Sequence, residues 1–461
     1  MKAIVDPTHA LTRGLASIRT QYRIPDGFPP AVLAAAEAAA RRAPTEHTDR
    51  TAMPFVTLDP ASSTDLDQAF AIERAGQDLL LHYAIADVAW FVDDDGAIDR
   101  EAWARGTSQY LPDGKAPLYP PILSEQAASL LPDGPRPAVI FTVRVAPDGG
   151  VRLDGAERAI VRSRAKLAYD DVRDSDLPSD FTELSNRIGA AEDRRGASRV
   201  DPPEQEVHQA GPGDFTLTYR PRLESEDRNA AMSLACNLAV ADTLLAHHTG
   251  LFRVMAPPDE PAIRRLRFTA RAFGLVWPEA ETLGQFQKNL RANDPREAAF
   301  MLAARRAGAG ASYAPYQPGV VPWHVAMAAT YAHATAPLRR LADRYVVRAA
   351  LAIAGGQDVP DVVIEAFVKL PPVMGHADAL GGQIERAVVD LAEAVMLKSS
   401  VGKVFPAVVT DVDERGARMQ LRDQPVVARV LAHSVRPGDA ITVRLVATDP
   451  ERRLIQFERV A

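Results

Sequence analysis

The chain has 461 residues, with 53 Lys and Arg against 60 Asp and Glu, a formal charge of -7, 47% hydrophobic residues and a single cysteine. At roughly 100–200 residues per domain, this length predicts two to four domains with sizeable buried cores. One thiol excludes a disulfide-held scaffold, and we find no run of about 18 apolar residues. A cytoplasmic protein with no membrane association is therefore expected.

Residues 1–46 are predicted to form an N-terminal helical arm or a small helix-turn-helix-like unit. A short helix is expected near residues 12–22. A second helix should begin at Pro29 and Pro30, just before AVLAAAEAAARRA, because a proline at a helix start has no N–H to leave unsatisfied.

Three aspartates, Asp59, Asp65 and Asp67, lie close together in VTLDPASSTDLDQAF, where Pro60 interrupts any regular element. In extended chain Asp65 and Asp67 project the same way, and the loop can return Asp59 to them. Two carboxylates about 4 Å apart repel by ~4 kcal/mol at an effective dielectric of 20, which Mg²⁺, or alternatively Mn²⁺, would relieve. Taken alone, the segment is equally well explained by aspartates that cap turns and face water.

The next elements alternate between strands and turns. DLLLHYAIADVAWFV is predicted to be a strand that residues 93–96 close, and residues 147–150 are predicted to turn a hairpin. Residues 202–221 are polar and rich in Pro and Gly, which predicts a surface loop. Helical periodicity then dominates from residue 227 to about 398, so the central body is predicted to be α+β.

Within that helical region, YAHATAPLRRLADRY carries a candidate phosphate site. Pro337 predicts a helix start, whose free N–H groups and dipole favour an anion. Arg339 and Arg340 follow, and a guanidinium could clamp a phosphodiester. An ordinary basic helix surface paired with Asp343 is the alternative.

After Lys398 about five alternating strands are separated by Gly and Asp-Pro turns within some sixty residues, which is the rhythm of an OB barrel. This tail has ten Lys and Arg against eight Asp and Glu, a mildly basic balance that favours nucleic acid. A small barrel with a purely structural role remains open.

These segments together resemble the RNB catalytic domain of the ribonuclease II and ribonuclease R exoribonucleases, and the tail resembles their S-one-type OB domain. The resemblance implies an RNB catalytic domain of mixed sheet and helices at residues 47–398, followed by a C-terminal OB-fold barrel at residues 399–461. The matching segments occur in the family's order: LDPASSTDLDQAF, AIADVAWFV, ARGTSQYLPDGKAPLYPPILS, ASLLPDGPR, SRAKLAYDDV, RRGASRVDPPE, AAMSLACNLAVA, YAHATAPLRRLAD and GGQIERAVVD.

The resemblance implies processive 3′-to-5′ hydrolysis of single-stranded RNA to nucleoside 5′-monophosphates by a two-metal mechanism. Asp59, Asp65 and Asp67 match three of the family's four acidic residues around magnesium, and Asp67 matches the one most directly tied to chemistry. Arg339 matches the arginine that holds phosphate near the scissile bond. Glu385, in QIER, matches a late glutamate near the active site.

Two further residues are expected to contact RNA. Tyr110 matches the family tyrosine that stacks near the terminal nucleotides, although a core tyrosine bonded to backbone is an alternative. Arg340 is expected to bind RNA beside Arg339. The expected partner is single-stranded RNA, and the chain is expected to act as a monomer.

Several positions depart from the family pattern. Gln68 stands at the fourth acidic position, where its uncharged amide should bind one metal more weakly. Ala230 and Ala231 replace acidic residues, which predicts relaxed discrimination of RNA against DNA. Ala84 favours the ribonuclease II side of the family, and the arm is too short for the two N-terminal cold-shock barrels.

Two functions therefore stay open. The first is an active magnesium-dependent exoribonuclease. The second is an RNA-binding protein of the same fold that has lost catalysis through Gln68 and the change at Ala230 and Ala231.

Overall fold

The structure is a computed structural model of the chain. It describes residues 2–4, 9–198, 204–211, 214–220, 222–291, 294–308, 310–413, 416–422, 424, 426–432 and 434–460.

The first part of the chain consists of β1 (Lys2–Ile4), α1 (Ala10–Gln21), α2 (Pro30–Ala40), β2 (Thr48–Asp49), β3 (Thr57–Asp59), β4 (Gln68–Ala75), β5 (Asp78–Ala86), α3 (Val88–Phe91), α4 (Ala97–Arg105), β6 (Gln109–Leu111), β7 (Gly114–Ala116), β8 (Arg136–Val145), β9 (Val151–Val161) and β10 (Lys166–Ala168). Five of these strands form a sheet in the order β2-β9-β8-β5-β4. The pairs β9-β8, β8-β5 and β5-β4 are antiparallel, while β2 is parallel to β9.

Two local predictions in this part can be compared with the structure. The hairpin at residues 147–150 is confirmed, since it joins β8 to β9 and Gly149 takes a φ of 74°. The strand predicted for DLLLHYAIADVAWFV ends earlier, at Ala86. There Asp87 accepts a hydrogen bond from the Trp90 N–H and caps the short helix α3, so a side-chain cap stops the strand inside the apolar run.

The second part is rich in helices, as predicted, with short strand pairs between them. Its elements are α5 (Phe181–Arg195), β11 (Glu204–Gly211), β12 (Asp214–Arg220), α6 (Glu224–Ala246), β13 (Leu251–Val254), α7 (Glu260–Ala272), α8 (Leu283–Lys288), α9 (Pro295–Ala307), β14 (Ser312–Pro315), β15 (Trp323–His324), β16 (Ala329–Thr330), α10 (Leu341–Ala354) and α11 (Asp361–Leu397).

The loop predicted for residues 202–221 is wrong over most of its length. β11 and β12 form an antiparallel pair, and β1 adds beside β12. Val207, Phe215 and Leu217 are buried in this sheet, so spaced apolar residues outweighed the polar composition. Residues 202, 203, 212, 213 and 221 lie outside the described residues.

α6 (Glu224–Ala246) is a long apolar helix of the fold. Among the described residues it alone is long and apolar enough to cross a membrane by length and composition, with a mean hydropathy of 1.3. Because 67% of that window is buried inside the fold, α6 serves as a core helix.

The five-stranded barrel predicted for the tail is confirmed. The strands close in the order β17-β18-β19-β21-β20, the arrangement of a small OB-type barrel. They are β17 (Val404–Asp413), β18 (Gly416–Leu421), β19 (Val427–Leu431), β20 (Ala440–Asp449) and β21 (Leu454–Arg459).

Two large apolar cores hold these parts together, and α11 crosses both. Its first half, including Val363, joins the core around the main sheet, and its second half, including Leu391, joins the core of the barrel. α1 buries Leu11 in the barrel core, whereas α2 buries Val32 in the sheet core. The two N-terminal helices therefore lie in different cores, and the choice between a helical arm and a helix-turn-helix-like unit stays a prediction.

Candidate active site

The loop that carries the aspartates is held by a parallel strand pair and a lysine. β3 pairs with β10, which places Asp59 opposite Ala168. From the same strand, Lys166 Nζ donates hydrogen bonds to the carbonyls of Ala61, at 2.7 Å, and Ser63, at 2.6 Å. These bonds hold the loop against the β3–β10 pair. The residues just before β4 therefore come back towards Asp59.

Asp67 lies at the centre of the site. Its side chain is 7% exposed, its Oδ1 accepts a 2.6 Å hydrogen bond from the Leu338 N–H, and its Oδ2 lies 3.4 Å from Arg339 Nε. Burial raises the pKa of Asp67 to about 8, against the lowering effects of Arg339 and the Leu338 N–H. The structure thus brings together an aspartate and an arginine segment 271 positions apart.

The segment that carries Arg339 is a turn, which corrects the predicted helix start at Pro337. α10 begins only at Leu341, because the Asp343 side chain accepts a 2.7 Å bond from the Ala336 N–H and keeps the preceding residues in the turn. The backbone N–H of Leu338 in this turn donates its hydrogen bond to the carboxylate of Asp67 rather than to an external anion.

The two arginines of the turn have different environments. Arg340 donates two hydrogen bonds to Asp343, at 3.0 and 2.8 Å, as in the alternative that pairs these residues. Arg339 leaves its side chain 50% exposed beside Asp67. Arg339 is thus open to a phosphate, whereas Arg340 is engaged in shaping the turn and its role in RNA binding stays a prediction.

Tyr110 and Lys115 both reach Asp65. The Tyr110 hydroxyl donates a 2.9 Å bond to Asp65 Oδ2, and Lys115 Nζ lies 2.7 Å from Oδ1. Tyr110 is 53% exposed, so it is not the core tyrosine of the alternative reading. Lys115 was not among the residues predicted from the sequence, because its place beside Asp65 follows from the register of the β6–β7 hairpin, in which it lies opposite Tyr110.

Asp59 presents a buried carboxylate oxygen that a cation could bind. Its Oδ2 is buried and has no hydrogen-bond partner among the described residues. Burial raises the pKa of Asp59 to about 6, and the neighbouring Asp65 carboxylate adds to the rise. Buried carboxylate oxygens are the donors that Mg²⁺ and Mn²⁺ prefer, so Asp59 and Asp67 fit a divalent ion.

The fit does not extend to a cage of carboxylates. Within the described part of the chain, no three Asp, Glu, His or Cys side chains converge closely enough to hold a metal ion. Gln68, predicted as a weak ligand, accepts a 2.7 Å bond on its Oε1 from the hydroxyl of Tyr83, which is fully buried. That bond engages the amide oxygen on the side of Tyr83, and the role of Gln68 as a ligand stays a prediction.

Glu385 is the predicted catalytic residue that lies on α11. It is exposed on α11, one turn after Gly381, whose Cα faces the Gln109 side chain next to Tyr110. This places Glu385 on the side of the site that carries β6, and its catalytic role stays a prediction.

A further residue near the aspartates was not singled out by the sequence analysis. Asn229 on α6 donates hydrogen bonds to the Tyr169 hydroxyl, at 2.9 Å, and to the Leu58 carbonyl, at 3.1 Å. Burial, together with the Asp59 charge, raises the pKa of Tyr169 to about 12. These contacts fix the back of β3 and so the position of Asp59.

The raised pKa values predict how the metal-free chain responds to pH. An aspartate whose pKa rises on folding contributes stability that is fully present below its ordinary pKa of about 3.9 and is lost as the pH climbs through its folded value. With Asp59 at about 6 and Asp67 at about 8, the melting temperature in chelator should fall between about pH 4 and pH 8 and level off above pH 8.

Thermal melts followed by circular dichroism would test this. Adding Mg²⁺ at pH 9 should restore the melting temperature, because the ion replaces the lost protons. The Asp67→Asn variant should show a flatter response. Glu393, buried beside the barrel with a pKa raised to about 8, has the same sign, so its Gln variant separates the two contributions. A melting temperature that is flat or rises over this range would contradict the assignment.

Comparisons with known proteins give the chain its relatives. The RNB domain model matches residues 47–354, and the model of the RNase II-type exonuclease C-terminal S1 domain matches residues 403–460. Ribonuclease R of Aquifex aeolicus is 26% identical, over 95% of this chain and 69% of its own length. Exoribonuclease 2 of Cronobacter sakazakii is 29% identical, over 84% of this chain and 63% of its own length.

Solved structures share the fold at lower identity. RNase R of Mycoplasma genitalium, solved in complex with ribose-methylated single-stranded RNA, superposes with a TM-score of 0.87 at 19% identity, over 100% of this chain and 79% of that one. A yeast protein described as a pseudonuclease superposes with a TM-score of 0.69 at 16% identity, over 96% and 57%. The fold therefore carries both nuclease and pseudonuclease descriptions.

Proposed function

The chain belongs to the RNB family, as its resemblance predicted, and we propose that it is a processive 3′-to-5′ exoribonuclease. It would hydrolyse single-stranded RNA to nucleoside 5′-monophosphates with Mg²⁺, or alternatively Mn²⁺. The curated relatives are ribonucleases R and exoribonucleases 2, of which the chain spans 69% and 63% in the two cases above.

One observation carries this proposal. Asp67 is buried, accepts a hydrogen bond from the Leu338 N–H, and lies 3.4 Å from the half-exposed guanidinium of Arg339. A buried carboxylate beside a solvent-facing arginine suits a phosphodiester bound with a cation, because the guanidinium donates to phosphate oxygens while the carboxylate holds positive charge.

Each residue of the site has a part in the proposed reaction. Asp59 and Asp67 would hold the cation, and Arg339 would hold the phosphate of the 3′-terminal nucleotide against it. When bound, a divalent ion supplies the charge that activates the attacking water and stabilises the leaving 3′ oxygen. The second ion implied by the resemblance would share Asp65, whose oxygens are engaged by Lys115 and Tyr110.

The test uses single-stranded RNA labelled at its 5′ end, with Mg²⁺ and with chelator. The proposal predicts a shrinking ladder that ends in a short labelled oligonucleotide with Mg²⁺, and intact RNA with chelator. Chromatography of the released products should show nucleoside 5′-monophosphates. RNA that stays intact with every divalent ion, while still bound, would overturn the proposal.

The same assay run on a matched DNA oligonucleotide tests the expectation for Ala230 and Ala231. These small side chains lie at the start of α6, next to Asn229, and cannot accept hydrogen bonds from ribose hydroxyls. Slow shortening of the DNA strand is expected. Complete resistance of DNA would show that another part of the chain recognises the 2′-hydroxyl.

A second candidate is a catalytically impaired RNA-binding protein of the same fold. It is favoured by Gln68, which replaces the fourth carboxylate and is turned to Tyr83, and by the pseudonuclease that shares the fold. Tight RNA binding without any Mg²⁺-dependent shortening would establish it.

Tyr110 is predicted to contribute to RNA affinity through its ring. Tyr110 is 53% exposed as a residue, and stacking of an aromatic ring on a base is worth about 1–3 kcal/mol. Tyr110→Ala should therefore weaken binding of single-stranded RNA, measured in chelator by fluorescence anisotropy, by about 5- to 150-fold.

Tyr110→Phe separates the ring from its hydroxyl, since it keeps the stacking face and loses the bond to Asp65. Its RNA affinity should stay close to that of the native chain. Phe268→Ala is the matched control, because Phe268 is 68% exposed on α7 and has no place in the site. An equal loss in Phe268→Ala, or none in Tyr110→Ala, would remove Tyr110 from the binding surface.

A further inference from the structure

The ammonium group of Lys115 occupies a position among the acidic side chains of the site. Lys115 Nζ lies 2.7 Å from Asp65 Oδ1, 3.1 Å from Glu125 Oε1 and 3.2 Å from Thr64 Oγ1. An ammonium has three N–H donors, so these contacts give each donor an acceptor. Lys115 is thus held as a fixed positive charge.

The fold presents Lys115 to Asp65 together with Tyr110. In the β6–β7 hairpin Tyr110 and Lys115 are directly opposed, and opposed residues of an antiparallel pair project from the same face. Tyr110 donates a hydrogen bond to Oδ2 of Asp65, and Lys115 donates one to Oδ1. Both oxygens of this carboxylate are therefore engaged by a single cross-strand pair, and the Asp65 side chain is only 9% exposed.

While the Lys115 ammonium pairs with Asp65 and Glu125, those two carboxylates are not open to a second divalent ion. Gln68 contributes no charge, and its amide oxygen accepts from Tyr83. No trio of metal-binding side chains exists in the described residues. By contrast, the buried Oδ2 of Asp59 has no hydrogen-bond partner among the described residues, so a carboxylate oxygen that is open to a cation lies on Asp59.

We propose that this chain binds one divalent cation, at Asp59 and Asp67, and that the Lys115 ammonium neutralises Asp65 in place of a second ion. An ammonium at hydrogen-bond distance from Asp65 would repel a divalent ion on the same carboxylate. The inference rests on the proposed function for the identity of the site. It differs from the two-metal expectation in the number of ions and in assigning a role to a lysine.

Counting bound Mn²⁺ tests the inference without any reaction. The full chain is titrated with Mn²⁺, and free Mn²⁺ is followed by electron paramagnetic resonance, with calorimetry as a second measure. The native chain should bind one ion per chain. Lys115→Met removes the ammonium but keeps an unbranched stem of similar length, and it should gain a second ion. Lys115→Arg keeps the positive charge and should still bind one.

Two more variants locate the ion, and a third provides a control. Asp59→Asn should lose the single ion, whereas Asp65→Asn should retain it. Lys369→Met removes a lysine that pairs with Glu365 on the exposed face of α11, and its stoichiometry should stay at one. Melting curves confirm that each variant folds; if Lys115→Met does not, the native, Lys115→Arg and Asp65→Asn titrations still decide the question.

The inference is overturned if the native chain binds two ions, or if folded Lys115→Met still binds one. Its failure is distinct from failure of the proposed function. Two bound ions with Mg²⁺-dependent shortening of RNA would reject the inference and keep the exoribonuclease. One bound ion with no shortening of RNA would do the reverse.

Discussion

Replacing Asp67 by Asn is expected to lower the rate of RNA hydrolysis by about 10³-fold or more while the fold and RNA binding persist. The amide oxygen can still accept the 2.6 Å bond from the Leu338 N–H, so the turn that carries Arg339 stays in place. The lost negative charge removes a cation ligand and the partner of the Arg339 guanidinium. Because burial of the native carboxylate raises its pKa to about 8, the neutral amide should not destabilise the chain.

Single-turnover assays with 5′-labelled RNA measure the rate, and anisotropy in chelator measures binding. Asp49→Asn is the matched control, because Asp49 lies on β2 and bonds only locally to Thr51 among the contacts described. Its activity should equal that of the native chain. Activity of Asp67→Asn within tenfold of the native rate would remove Asp67 from the chemistry and favour another ligand set.

The largest expected loss of stability comes from Asp99→Ala. The guanidinium of Arg344, 1% exposed, is bonded to Asp99 and to the Tyr345 hydroxyl. Removing one partner of a buried ion pair leaves the other charge uncompensated, which typically costs about 3–5 kcal/mol. We expect Asp99→Ala to lower the free energy of unfolding by that amount.

This loss should also reach the active site. Asp99 lies on α4, and the chain that leaves this helix pairs Thr107 with Arg340 and donates the Ser108 N–H to the Arg339 carbonyl. Loosening α4 would therefore loosen the turn that holds Arg339. Unfolding titrations with guanidinium chloride, monitored at several wavelengths, would follow the transition of the sheet core separately from that of the barrel.

A surface pair one turn farther along α10 supplies the control for Asp99→Ala. Arg348 and Asp94 lie 2.6 Å apart with 19% and 34% of their side chains exposed, and such pairs contribute about 0–1 kcal/mol. Asp94→Ala should shift the transition by no more than that. Equal effects of the two variants would show that burial does not set the strength of the Asp99 pair.

The sequence predicted the elements correctly where each prediction depended on a pattern within a short segment of the chain. Alternation of apolar residues predicted the five barrel strands, a Pro-Asp-Gly-Gly run predicted the β8–β9 hairpin, and Pro30 begins α2 as predicted. Ordered motifs identified the family, and they singled out Asp67 and Arg339, which the fold brings together. Local patterns of this kind depend on backbone geometry and side-chain periodicity, which the sequence carries directly.

Only the tertiary structure decided which side chains face the site. Arg339 and Arg340 are adjacent and chemically alike, yet Asp343 engages one and leaves the other beside Asp67. Gln68 turns to Tyr83 through the pairing of β4 with β5, and Lys115 reaches Asp65 through a hairpin register. Each outcome depends on contacts between residues far apart in the chain, where packing and register set the direction of a side chain, and composition and periodicity contain no record of those contacts.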